Sequence, residues 1–295
     1  MLYITYALNG LLMIAWPLGL GLFLSRKFGL KWGLFAIGAA TFLLSQVVHL
    51  PLIYGLTALF QNKVLPAPPA AWRLVFNAVM LGLMAGLCEE LARYLVLRYW
   101  AKSARTWREA LMFGTGHGGV EAIILGALVL LSYINMVALR NANLSTLPLA
   151  PDQQAALAKQ LAAYWSAPWY ISVLGAVERL FAMCLHLSLA VLVMRAFTRR
   201  NLMWLVAAIA WHTLADAVAV LGQGAGLDPL RLEGIVGAFA LGSLVIIFAL
   251  RPRQPEPLVQ AAPSVVIAGA PASPRSIEKV QADARDQVDQ SKFID

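Results

Sequence analysis

The chain has 295 residues, 60% of them hydrophobic and only 13% charged, with a net charge of +8 and a mean hydropathy of +0.70. A soluble domain keeps roughly a quarter of its residues charged to cover its surface. A soluble enzyme, a disulfide scaffold and a disordered chain are therefore excluded, and an all-α polytopic membrane protein remains.

In chain order, seven apolar runs are long enough to cross a hydrocarbon core of about 30 Å as helices. They are predicted over Leu2–Leu24, Trp32–Leu56, Leu74–Leu97, Ala110–Leu139, Trp169–Phe197, Leu202–Leu221 and Gly234–Leu250. The first lacks a positive n-region and a small-residue cleavage site, so it reads as a retained span. Between the fourth and fifth, Asn141–Pro168 reads as a short external helix or amphipathic segment. From Arg253 onward Pro, Ala, Ser and Gln give way to mixed charges. Residues 253–295 read as a disordered cytoplasmic tail, with a helix around Ile277–Val288, and residues 1–252 as the membrane domain.

The basic residues fall in the short loops. Arg26, Lys27, Lys31, Arg98, Lys102, Arg105, Arg108, Arg195, Arg199, Arg200, Arg251 and Arg253 lie on one side, against Lys63, Arg73, Arg140, Lys159 and Arg231 on the other. The positive-inside rule then puts the N-terminus outside and the C-terminus inside. The same bias accounts for the net charge and leaves no case for nucleic acid as a partner. Trp32, Trp72, Trp100, Trp107, Trp165, Trp169 and Trp204 sit at predicted span ends, where amphipathic rings favour the interface, while Trp16 and Trp211 lie deeper. Cys88 and Cys184 fall inside apolar runs and read as packing residues rather than a disulfide.

The information about function lies in ionisable groups within the spans: Glu89, Glu90 and Arg93 on the third, His117 and Glu121 on the fourth, Glu178, Arg179 and His186 on the fifth, His212 and Asp216 on the sixth. A charge at mid-membrane costs about 2.5–3.5 kcal/mol on insertion scales, so such groups are normally paired, inward-facing and functional. One isolated pair could be a structural clamp; ten groups on four spans exceed that explanation. Counted from the nearest cytoplasmic arginine, Glu89, His117, His186 and His212 all lie about 14–18 Å deep. One acid and three imidazoles thus share a level. Glu89 with Arg93, His117 with Glu121, and His212 with Asp216 are i,i+4 pairs, each on one helix face. Gly114, Gly116, Gly118 and Gly119 around His117 either let helices approach closely or allow a local break. His49, a lone imidazole near Pro51, reads as a packing residue outside the site.

These strings resemble a known group. Cys88-Glu89-Glu90-Leu91-Ala92-Arg93-Tyr94 resembles the paired-glutamate motif of the YhfC-type intramembrane proteases, relatives of the CAAX-protease and bacteriocin-processing (CPBP) families. Phe113-Gly114-Thr115-Gly116-His117, continuing to Glu121, is similar to their second motif, Phe-x-x-x-His. Glu178-Arg179 with His186 is similar to the third region, and His212-Thr213-Leu214-Ala215-Asp216 to the final His-x-x-x-Asp/Asn pattern. One departure is that Arg93 stands one residue earlier than the Glu-Glu-x-x-x-Arg of the wider clan. The resemblance implies a bacterial cytoplasmic-membrane protease acting on membrane-associated proteins or peptides, prenylated peptides being implied only by distant kinship.

Hydrolysis of an amide inside a bilayer needs a sequestered water, a base to activate it and donors for the oxyanion. Glu89 could take the proton, His117 position the water, and His212, oriented by Asp216, donate to the oxyanion, with Glu90 and Arg93 in support. No cofactor is needed for that chemistry. The same residues permit zinc held by His117, His186 and His212 with a carboxylate and an open water position. No His-Glu-x-x-His is present. A proton-coupled transporter could use the same ionisable groups, although no internal repeat is visible. A non-catalytic scaffold or immunity-type protein would keep the fold without turnover. A bis-histidine haem protein would leave the carboxylates without purpose. Neither the oligomeric state nor the substrate is encoded in a recognisable way.

Overall fold

A computed structural model of the chain describes residues 1–253. The tail from residue 254, including the helix expected around Ile277–Val288, lies outside the described residues. Eight α-helices account for most of the rest: α1 Leu2–Phe28, α2 Trp32–Gln61, α3 Arg73–Tyr99, α4 Trp107–Leu139, α5 Pro151–Ser166, α6 Leu174–Thr198, α7 Met203–Gly224 and α8 Pro229–Ala249. All but α5 belong to helical stretches long and apolar enough to cross a membrane, so among the described residues there are seven candidate spans. The protein is an integral multi-pass membrane protein.

The helix ends follow local chemistry that hydropathy does not see. α8 starts five residues before its apolar run because Asp228 caps the helix, accepting from the Arg231 backbone N–H at 3.1 Å, and Pro229 fills the first turn. The predicted fifth span starts late: Pro168 and Trp169 lie in a turn, and a 3-10 turn over Ile171–Val173 precedes α6. α4 begins with a capping box in which Thr106 Oγ1 accepts from the Glu109 N–H and Glu109 Oε2 accepts from the Thr106 N–H. That box starts the helix that carries His117, eleven residues after Thr106.

α6 lies at the centre. Some 61% of its apolar window is buried inside the protein, against 17–33% for the other spans. α4, α7 and α8 pack around it, with α3 against α7, and α1 and α2 against α4. Small residues make these approaches close. A Cβ added at Gly116 would lie 2.0 Å from the Phe35 carbonyl oxygen of α2, and one at Gly118 would lie 2.5 Å from the His186 ring of α6. α4 runs unbroken through all four glycines, so they serve helix packing and not a break. α5 docks on α1 through Tyr6, which stacks on Tyr164 at 3.9 Å. The deep Trp211 donates its indole N–H to Ser243 of α8 at 3.0 Å.

Candidate active site

Four helices of this bundle bring the ionisable groups together. α3 contributes Glu89, Glu90 and Arg93, α4 His117 and Glu121, α6 Glu178, Arg179 and His186, and α7 His212 and Asp216. Glu90, Arg93 and His117 are fully buried, and Glu89, His186 and His212 are at most 6% exposed. At that depth each charge must find its partner within the protein.

The partners are specific. His117 Nε2 lies 3.0 Å from Glu89 Oε2. Arg93 pairs with Glu90 on its own helix, lies 3.5 Å from Glu89, and points Nη2 at His186 Nδ1 from 2.7 Å. Because a guanidinium can only donate, His186 Nδ1 is the acceptor and its Nε2 carries the proton. That Nε2 donates to Glu121 Oε2 at 2.8 Å, and Arg179 holds the other oxygen of Glu121 at 2.7 Å while also pairing with Glu178. His212 Nδ1 lies 2.7 Å from Glu90 Oε1, and its Nε2 lies 3.4 Å from Asp216 and 4.0 Å from Glu89. The rings of His117 and His186 are 5.5 Å apart, and those of His186 and His212 5.8 Å. With their nitrogens facing Arg93, Glu121, Glu90 and Asp216, His186 and His212 offer no slot for a haem.

All ten ionisable groups singled out from the sequence therefore belong to one connected network, which answers where they lie and not what they do. Two of the same-face pairs are direct contacts, Glu89 with Arg93 and His212 with Asp216. The third is not: Glu121 shares a face with His117 but bonds to His186 across the helix interface. His49 stands apart from the cluster, with Nδ1 3.3 Å from Gln46 of its own helix. Phe42 of α2, which no ionisable pattern could flag, presents its ring edge-to-face to His117 at 5.4 Å.

Among the described residues, the donors that converge most closely enough for one metal ion are Glu89, His117 and His186, whose ligand atoms all lie within 4.8 Å of one another. Glu89 is thus the carboxylate that joins His117 and His186, while His212, the third imidazole expected from the sequence, turns its Nδ1 to Glu90. Two imidazoles and a carboxylate form a donor set that catalytic zinc uses. His117 Nδ1 is buried without a hydrogen-bond partner in the protein, as a ligand or water-binding nitrogen would be. The Glu121–His186 bond is the arrangement that fixes the tautomer of a metal-binding histidine. The donor set therefore fits a zinc ion. Arg93 is a competitor for it, since its guanidinium already lies against two of the three donors.

A seven-span helical membrane protein with a buried acid–imidazole cluster on four helices is the class that fold and site define. The model of the YhfC intramembrane metalloprotease family matches residues 12–236, which takes in every one of these residues, and the chain belongs to that family. A relative described as an uncharacterized membrane protein, YhfC of Bacillus subtilis (strain 168), is 34% identical over 223 residues, covering 74% of this chain and 83% of the relative. No solved structure matches.

Proposed function

We propose that the chain is an intramembrane endopeptidase that hydrolyses peptide bonds of membrane-associated proteins or peptides, with the hydrolytic water held among Glu89, His117 and His186. The observation that carries this reading is the convergence of those three buried side chains from three different helices. Family membership supports it at the level of the class.

The residues divide the work by position. Glu89 is the only carboxylate in the convergent set and takes the proton of the attacking water. His117, whose Nε2 lies 3.0 Å from Glu89 Oε2, positions that water beside Glu89. Glu121, steadied by Arg179, holds the His186 ring in the tautomer whose Nδ1 faces the site. His212, fixed on one side by Glu90 and reaching toward Asp216 and Glu89 on the other, is the donor to the developing oxyanion. Zinc, if bound, would be held by Glu89, His117 and His186 and would supply Lewis-acid polarisation of the water and the scissile carbonyl, with the second oxygen of Glu89 left to take the proton.

A second reading, a glutamate-type enzyme without metal, is favoured by one observation. Arg93 Nη2 lies 2.7 Å from the His186 nitrogen that a metal would use. Purified protein in liposomes, offered labelled single-span peptides with and without a prenyl group, tests both readings. Cleavage that a chelator removes and zinc restores supports the metal reading, and chelator-resistant cleavage supports the glutamate reading. Wild-type protein that is folded and inert on the whole panel, in a form loaded with zinc, argues for a non-catalytic role.

A further inference from the structure

We infer that a small vestibule between α6, α7 and α8, largely apolar but carrying three charged side chains, is filled with water and is the route by which water enters the buried site from the end of the bundle that carries α5. The inference builds on the proposed hydrolysis for its purpose, because each peptide bond broken consumes one water and the Glu89 cluster is sealed.

The vestibule is a cavity of about 90 Å³ whose wall is mostly apolar, Ala215, Ala219 and Phe239 among its residues, with Glu178, Arg179 and Asp216 as its charged side chains. Holding one water needs only about 10–15 Å³ of such space together with two to four polar partners. Its position suits an entrance. Glu178 lies four residues into α6, about 6 Å from the start of that helix. Asp216 lies four residues from His212 on α7, so the floor of the cavity is one turn above the site.

Three observations point to water and not lipid. First, the Glu178 and Asp216 side chains are 43% and 36% exposed although both stand within membrane-spanning helices. A carboxylate open to hydrocarbon is far more costly than one open to a hydrated cavity. Second, Glu233, on the α8 face that continues to Val236 in the cavity wall, has a buried Oε2 with no protein hydrogen-bond partner. Third, the cavity wall is wired to two of the three inner imidazoles. Arg179 bonds Glu121, which accepts from His186, while Asp216 contacts His212 directly.

Thiol labelling tests this without relying on catalysis. In full-length protein with Cys88 and Cys184 replaced by Ser, Ala219→Cys and, separately, Ile235→Cys would be exposed to a charged, water-soluble methanethiosulfonate present on both faces of the liposomes. The thiolate attacks the sulfenyl sulfur of such a reagent, forming a mixed disulfide and releasing methanesulfinate, and a thiolate forms only where water reaches the sulfur. Leu214→Cys, on the lipid-facing side of α7 where Leu214 is 50% exposed, is the control. Labelling at position 219 or 235 at least about tenfold faster than at 214 is expected. Equal or slower labelling at both overturns the inference. Ala219→Leu, which fills the cavity, is expected to lower the cleavage rate at unchanged zinc content. Labelling without that loss would overturn the supply route. Lack of cleavage by wild type would instead count against the proposed function and leave the labelling result to decide on the hydrated vestibule.

Discussion

Two groups of charges in this bundle solve the same problem in opposite ways. Glu89, Glu90, Arg93 and His117 are shut inside α3 and α4, each at most 6% exposed, and satisfy one another and the facing imidazoles. Glu178, Arg179 and Asp216, one to two turns nearer the α5 end, keep side-chain exposures of 43%, 12% and 36%. The sealed group has traded hydration for fixed partners, so its geometry is preorganised and intolerant of change. The open group keeps part of its solvation, so losing a partner there costs less. The inner group is built for chemistry, and the outer group for access to it.

Removing the central cation should expose this contrast most strongly. Arg93→Ala leaves Glu90 buried without its counter-charge and is expected to destabilise the bundle by about 3–5 kcal/mol. Arg179→Ala, whose partners Glu121 and Glu178 keep 24% and 43% side-chain exposure, should cost less, about 1–3 kcal/mol. Thermal unfolding of both variants in detergent checks the pair, and equal losses would erase the distinction. Gly118→Ala comes next, because the added methyl would sit 2.5 Å from the His186 ring. Overpacking of this kind costs about 1–3 kcal/mol and should displace the imidazole, read as lower stability together with weaker zinc binding.

Glu121→Gln keeps the side chain's shape but weakens its hold on His186 and Arg179. Loss of such an outer partner typically costs about 10–100-fold in metal affinity or activity. Zinc titration and cleavage rates should both show it, with little change in melting temperature. The smallest effect belongs to His49→Ala, since His49 contacts only Gln46 of its own helix among the hydrogen bonds described. Stability should stay within about 0.5 kcal/mol, and cleavage should be unchanged.

The spans were legible because an apolar run about 20 residues long is a property of composition, and no tertiary contact is needed to read it. The shared depth of Glu89, His117, His186 and His212 was legible too, since helical rise turns sequence distance into height. Pairings within one helix, such as Glu89 with Arg93, followed from spacing. Pairings across helices did not. Rotation of α6 against α4 gives Glu121 to His186, and rotation of α7 against α3 gives Glu90 to His212; nothing local encodes either. That His212 stands outside the convergent donor set is a direct result. The glycines around His117 carried the missing signal in ambiguous form: Gly118 is where the His186 ring enters, and spacing alone could not separate that from a helix break. Hydropathy missed the start of α8 because a cap, Asp228, and not an apolar residue, sets it.

The central claim is that Glu89 activates water for peptide hydrolysis, and the most direct test does not require knowing the substrate. Membranes containing wild-type protein and membranes containing Glu89→Gln at equal, folded abundance would be compared for newly created protein N-termini by mass spectrometry. Gln fills the same volume but cannot accept the proton, and loss of general-base assistance costs about 10²–10⁴-fold. A set of new termini present with wild type and absent with Glu89→Gln is the predicted result. The same termini appearing at the same rate with the folded Glu89→Gln protein would contradict the account.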